Sequence, residues 1–287
     1  MIEKVRRKTF KIRESGRSTD FISPSFGHGC LYNCSYCYMK RHKPTGLNIA
    51  HNTGDILTAM NNHAYFTPVD KPNQTHPEYT TYDISCNEDF ALHAKHHEWQ
   101  KIFEFFRDHP IAMGSFATKY VNPNLITFDP HKKIRIRYSL MPQHMSDIHE
   151  PHTSKIIDRI KAINAFLEAG YDVHVNFSPV IVYDGWLEDY EDLFLMLDTY
   201  VDNDHKKDVL AEVIFLTHNA DKHVYNGLHG YSKAELHLWR PDIQEVKTSQ
   251  YGGKNIRYKV ELKRKFIKDF VDLHAKIIPW NTIRYIF

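Results

Sequence analysis

From residue 79 to residue 217 this chain alternates strand-like and helix-like stretches, and that alternation limits its fold more than any other feature. "TSKIIDRIKAINAFLEAG" (153–170) carries Ile156, Ile160, Ile163 and Leu167 at helical spacing. Thr153 is placed to cap its start and Gly170 its end. The next residues, "YDVHVNFSPVIV", alternate Val173, Val175 and Phe177 against Asp172, His174 and Asn176, as a strand does. "FISPSF" (21–26), "YTTYDIS" (79–85), "IAMGSFATK" (111–119), "KIRIRYSL" (133–140) and "VLAEVIFLT" (209–217) also read as strands. In "KIRIRYSL", Ile134, Ile136 and Tyr138 alternate with Arg135 and Arg137. "HAKHHEWQKIFEFFRDH" (93–109), with Trp99, Ile102, Phe103 and Phe106 on one face, and "EDYEDLFLMLDTYV" (188–201) read as helices. About six β/α units in series predict a parallel sheet flanked by helices, an α/β fold of the partial (β/α)6, TIM-like barrel type. The strand ends at Cys30, Cys86, Lys119, Ser139 and Ser178 would then share the rim that carries chemistry in parallel barrels.

The remainder is read around that unit. "EVKTSQYGGKNIRYKVEL" (245–262) places Gly252-Gly253 between two strand-like arms and predicts a β-hairpin over 245–260. A last helix (263–277) turns Phe266, Phe270 and Leu273 inward. Residues 1–20 read as a basic N-terminal segment and 21–287 as a single domain. Net charge is only +2, but basic residues gather in 1–17 and 247–268, two segments able to meet a polyanion. No apolar run reaches the roughly 20 residues of a membrane span, and the first residues lack the apolar core of a secretory signal. Four cysteines in 287 residues are no disulfide framework, so a cytoplasmic chain with another use for its thiols is expected.

Three of those cysteines sit in "GHGCLYNCSYCYMK" (27–40), as Cys30, Cys34 and Cys37 with spacing C-x3-C-x2-C. Zinc would want a fourth ligand, and His28 or His42 is near enough in sequence to supply it. A [4Fe–4S] cluster on three thiolates accounts for the odd number better, because it leaves one iron open to a small chelator. The spacing resembles the signature of the radical S-adenosylmethionine (SAM) superfamily, in which that iron takes the amino and carboxylate groups of SAM. An aromatic before the third cysteine, here Tyr36, belongs to the same pattern.

A narrower resemblance follows from "GCLYNCSYCYMK", "YDISCNEDF", "FATKYVN", "IRIRYSL" and "LEAGYDVHVNFSPVIVYDGWLEDYEDLFLMLD". Together they resemble the spore photoproduct lyase family of radical SAM DNA repair enzymes, from about residue 21 onward. The resemblance implies that an adenosyl radical takes hydrogen from C6 of a methylene-bridged thymine dimer. A cysteine thiol then returns hydrogen to thymine, and two tyrosines relay the radical so that SAM re-forms. By position, Cys86 matches the donor and Tyr36 and Tyr38 the relay, with Tyr36 also placed against the adenine. Lys119, Ser139 and Ser178 match SAM contacts, and Glu88 stands where the family carries serine, placed to accept from the SAM ammonium. The hairpin matches a DNA wedge, with Gln250 in place of an arginine, Tyr251 to stack, and Lys254 and Arg257 for phosphates. A one-electron donor such as flavodoxin or ferredoxin and a monomeric state are implied as well.

These departures, with a short region before the cysteines, describe a diverged, shorter member of the family. They keep open a radical SAM enzyme that modifies or rearranges a hypermodified thymine in DNA. A zinc-containing nucleic-acid-binding module is the reading of another class. Two further histidine groups stand out. His93 and His97 form an i, i+4 pair expected on a solvated helix surface, and "HNADKH" (218–223) carries no readable chemistry.

Overall fold

The strand "KIRIRYSL" shows why the sheet curls. In the computed structural model, which describes residues 1–15, 20–43, 45–66, 76–248 and 252–287, all six residues of Ile134–Ser139 are buried. Ile134, Ile136 and Tyr138 face the surrounding helices, with Tyr138 edge-on to Phe166. Arg135 and Arg137, on the opposite face, are 2% and 4% exposed and turn into the barrel. Carboxylates from other strands receive them. Arg135 meets Asp172 at 2.6 Å, and Arg137 meets Asp83 at 3.0 Å and Glu212 at 3.3 Å. Buried charges persist only when paired in this way.

The barrel strands are β1 (Phe21–Ile22), β2 (Thr80–Asp83), β3 (Ala112–Thr118), β4 (Ile134–Ser139), β5 (Asp172–Val180), β6 (Leu210–Phe215) and β7 (Thr282–Ile286). They lie in spatial order from β1 to β7, all parallel, with Arg13–Glu14 added antiparallel to β1. This is the expected partial barrel with one strand more than the sequence suggested. β7 was missed because "TIRYIF" follows the last helix as a short, isolated run. Its pairing with β6 shifts register between Ala211 and Glu212, and Arg284 and Tyr285 both reach Glu212.

Helices Trp99–Asp108, Ile156–Glu168, Trp186–Tyr200 and Val260–Ile277 cover the outer face of the sheet. Ile102, Phe103, Phe106, Ile160, Ile163, Phe194 and Phe270 are fully buried there. Each such side chain contributes about 1.5–3 kcal/mol by leaving water. The helix expected over 93–109 starts later, at Trp99, after a short turn of helix Phe90–His93 and a 3-10 turn at Ala94–His96. Thr153 does not cap the helix Ile156–Glu168; its hydroxyl donates to Glu150 O and accepts from Arg159 Nη2. Gly170 ends that helix in the left-handed region (φ +89°), and a Cβ there would sit 2.1 Å from Asp129 Oδ1.

Ile2–Val5, within the basic segment, pairs with Leu47–Ala50, which in turn pairs antiparallel with Gly27–Gly29. The hairpin forms as expected, Gln244–Thr248 against Lys254–Tyr258, and Thr217–His218 joins as a third strand. Tyr258 docks it on the barrel, its hydroxyl accepting from Val182 N–H at 2.9 Å.

Candidate active site

The C-terminal ends of β2 to β5, with the cysteine loop folded over them, enclose a cavity of about 500 Å³. Cys30, Cys34 and Cys37 line it together with Tyr36, Tyr38, Cys86, Glu88, Lys119, Ser139 and Ser178. One site thus gathers residues spread over nearly 150 positions.

The cysteine loop has no regular structure of its own, so its shape comes from neighbours. Cys37 N–H closes a turn on Cys34 O, and Gly29 N–H bonds to Asn87 O. Ser35 is clasped by His149, backbone to backbone at 2.9 Å and Oγ to Nδ1 at 2.8 Å. The helix Ala220–Leu228 holds the loop from below: Asn226 Nδ2 donates to Ser35 O at 2.9 Å and Lys222 Nζ donates to Tyr36 O. All four cysteines are free thiols. Burial, then Asp89, pushes the Cys30 thiol up to about 12, and burial, then Glu150, raises Cys34 well above its ordinary value. Thiols in such surroundings ionise when metal cations supply the compensating charge. Cys30, Cys34 and Cys37 line one cavity with no histidine among its lining residues to complete a four-ligand zinc site, so this donor set of three thiols suits a cluster with one iron left open.

Cys86 follows β2. Tyr38, at the other end of the cysteine loop, is 41% exposed, yet its hydroxyl turns inward. It donates to Cys86 O, lies 3.1 Å from Asn87 Oδ1 and 3.9 Å from Cys86 Sγ. Burial, then Asp83, pushes the Cys86 thiol up to about 11, which keeps it protonated at neutral pH. Tyr36 points elsewhere. Its hydroxyl donates to Glu150 Oε1, and the Lys119 ammonium stands 5.8 Å from its ring centre. Lys119 Nζ also reaches Ser139 Oγ at 3.3 Å and Glu150 at 3.8 Å. Burial opposes the Lys119 charge, but Glu150, Cys34 and Asp89 together outweigh burial and raise its pKa. Ser178 lies on β5 and opens onto the same cavity.

The acidic support of this wall was not legible beforehand. Glu150 and Arg159 form a fully buried pair at 3.0 Å beneath Tyr36 and Lys119. Arg159 did carry a signal: it interrupts the apolar stripe between Ile156 and Ile160, where a charge is costly unless a partner waits. Asp83, Arg137 and Tyr285 also line the cavity, a placement the sequence did not indicate.

Glu88 is fully buried. Its Oε2 accepts from His93 Nδ1 at 3.0 Å and from His97 Nε2 at 2.9 Å, so the solvated surface expected for these histidines is corrected. Glu88 Oε1 has no hydrogen-bond partner. Burial favours the neutral acid, yet His97 and His93 together lower the Glu88 pKa and keep it a carboxylate. His93 Nε2 in turn accepts from Leu31 N–H at 3.3 Å, which ties Glu88 to the cysteine loop.

Lys254 and Arg257 lie on the second arm of the hairpin, Lys254 exposed and Arg257 partly so. Gln250 and Tyr251 fall outside the described residues. None of the described helices is long and apolar enough to cross a membrane.

The family model described as spore photoproduct lyase matches residues 3–287. The chain is 28% identical over 276 residues to spore photoproduct lyase of Bacillus subtilis (strain 168), covering 93% of this chain and 77% of that protein. It is 24% identical over 285 residues to the same-named protein of Geobacillus sp. (strain Y412MC61), covering 97% and 80%. A solved spore photoproduct lyase complexed with dinucleoside spore photoproduct superposes with TM-score 0.86 at 20% identity, covering 100% of this chain and 82% of the other. A spore photoproduct lyase mutant with bound AdoMet and dinucleoside spore photoproduct gives 0.86 at 19%, with the same coverage. These superpositions establish the partial-barrel fold.

Proposed function

The chain belongs to the spore photoproduct lyase family and is a radical SAM lyase, and we propose that it reverses a methylene-bridged thymine dimer in DNA with Cys86 as hydrogen donor. The observation that carries this reading is the 3.9 Å approach of Tyr38 Oη to Cys86 Sγ, on the wall that also holds Cys30, Cys34 and Cys37. Solved relatives that hold dinucleoside spore photoproduct, one of them with AdoMet, support the substrate and cofactor.

Cys30, Cys34 and Cys37 would hold a [4Fe–4S] cluster, and Lys119, Ser139, Ser178 and Glu88 would hold SAM beside it. When bound, cluster and SAM supply hydrogen-atom abstraction at an unactivated carbon. The chain's own residues do the rest. Cys86, protonated at neutral pH, passes its hydrogen to the thymine carbon radical. Tyr38 refills Cys86, since thiol and phenol bonds to hydrogen are both weak enough for exchange. Tyr36 takes the second relay position: a transfer to Tyr38 would move proton and electron together, and at rest its hydroxyl donates to Glu150, which Arg159 and Lys119 hold as a carboxylate against the opposing effect of burial. Lys119 keeps its charge and can neutralise a carboxylate. The orphaned Glu88 Oε1 can accept from an ammonium. Lys254 and Arg257 would meet phosphates along the hairpin, and a damaged base leaves the stack at reduced cost. The reaction requires a one-electron donor, of the flavodoxin or ferredoxin kind, and nothing in the mechanism needs a second subunit.

Glu88, a buried carboxylate where the family resemblance places serine, favours one variation: a modified thymine in DNA as the substrate. Family membership sets aside the zinc-containing nucleic-acid-binding module. The test is anaerobic reaction of reconstituted, reduced protein with dinucleoside spore photoproduct. Wild type should release thymine dinucleoside, and Cys86→Ala should still cleave SAM while losing most of that product. SAM cleavage without thymine from wild type would reject the dimer and leave the modified base.

A further inference from the structure

We propose that His218, His223 and Glu235 form a site for one divalent transition-metal ion of the zinc class, apart from the cysteine cavity. The motif "HNADKH", without readable chemistry in the sequence, supplies two of the ligands. His218 ends the strand Thr217–His218, His223 lies on the helix Ala220–Leu228, and Glu235 comes from the helix Ser232–Leu238. Glu235 Oε2 lies 3.2 Å from His218 Nε2 and 2.6 Å from His223 Nδ1. All three ligand atoms lie within 4.8 Å of one another, the one such set among the described residues. Two imidazole nitrogens and a carboxylate oxygen are a zinc ligand set that leaves a fourth position open.

The surroundings support the ligands by contact, while His218 Nδ1 is buried without a hydrogen-bond partner. Asn226 Nδ2 donates to Glu235 Oε1 and so orients the carboxylate. The Trp239 ring stacks on His223 at 4.2 Å and 18° and meets His218 edge-on, fixing both imidazole planes. The His218 side chain is fully buried and Glu235 nearly so, while His223 is 39% exposed, which gives an ion one path of entry. The same helix carries Asn226 and Lys222, which hold Ser35 O and Tyr36 O of the cysteine loop. An ion here would staple two C-terminal helices together at the base of that loop.

The experiment titrates Zn²⁺ into anaerobically reconstituted protein, removes loose metal, and counts zinc and iron per chain by mass spectrometry. Wild type should keep about one zinc beside its cluster iron. His223→Ala and Glu235→Gln should each bind zinc about 100-fold more weakly, since even indirect supports of such sites are worth 10- to 100-fold. Cys30→Ala, which removes a cluster ligand, should keep the zinc. Melting curves separate a lost ligand from a lost fold: without zinc His223→Ala should still melt cooperatively, and only wild type should gain on zinc addition. Wild type that retains no zinc, or a His223→Ala protein that retains it equally well, overturns the site.

Discussion

Gly27 and Glu88 compete for one space, and a double-mutant cycle can measure it. Gly27 lies in Gly27–Gly29 without a positive φ, so its backbone alone would tolerate alanine. The added Cβ, however, would fall 2.3 Å from Glu88 Cδ and Oε1 and 2.4 Å from Oε2. The carboxylate would have to retreat by more than about 1 Å to restore ordinary contact. It would then lose its bonds from His93 and His97, each a bond to a charged group and worth about 1.5 kcal/mol or more. Gly27→Ala should therefore cost about 3 kcal/mol, within the range for overpacking. Glu88→Ser strands the same two imidazole donors and should cost about as much. In the double variant the clash is gone, so its cost should match Glu88→Ser alone. The coupling between the sites should be about 3 kcal/mol in the direction of rescue. Urea unfolding of all four proteins gives the cycle, and each 3 kcal/mol loss should lower Tm by about 6–12 °C. A Gly27→Ala protein within about 0.5 kcal/mol of wild type, or two costs that simply add, would refute the account of Glu88 as packed and anchored against Gly27.

Tyr38→Phe keeps the ring but removes the hydroxyl beside Cys86 Sγ; thymine should still form while the ratio of 5′-deoxyadenosine to thymine climbs, and chromatography showing an unchanged ratio would remove Tyr38 from the relay. Arg137→Met leaves Asp83, Glu212 and Asp20 facing one another without their shared cation; unfolding measurements should show a loss of about 3–5 kcal/mol, partly recovered by adding Glu212→Gln. The pH dependence has a definite sign at His174, whose pKa burial lowers from 6.5 to about 4 against the opposing pull of Asp172. The unfolded chain takes up that proton as pH falls below 6.5 and the folded one does not until about 4, so folding should lose about 3 kcal/mol across that window. His174→Gln should flatten the same stretch of the urea-stability profile, and a slope identical to wild type would contradict a neutral buried imidazole.

Patterns that repeat over a few residues were enough to state the architecture. The helix Ile156–Glu168 and strand β5 were legible because apolar side chains recur at the period of the local backbone, and burying them is what the sheet and its helices share. The three cysteines and their flanking tyrosines were legible because their spacing is set by a loop shorter than ten residues. Family membership, and with it the class of reaction, follows from such local patterns. Tertiary structure decided what becomes of charge. Arg135 and Arg137 are only an alternation in the sequence until Asp172, Asp83 and Glu212 arrive from other strands. His93 and His97 look like surface until Glu88 folds back on them, and Tyr38 meets Cys86 across 48 residues of chain. Hydrophobic burial needs only a face, which a short segment can declare by itself. A buried charge, a ligand set or a hydrogen-atom path needs a particular partner at a particular distance, and only the assembled barrel supplies one.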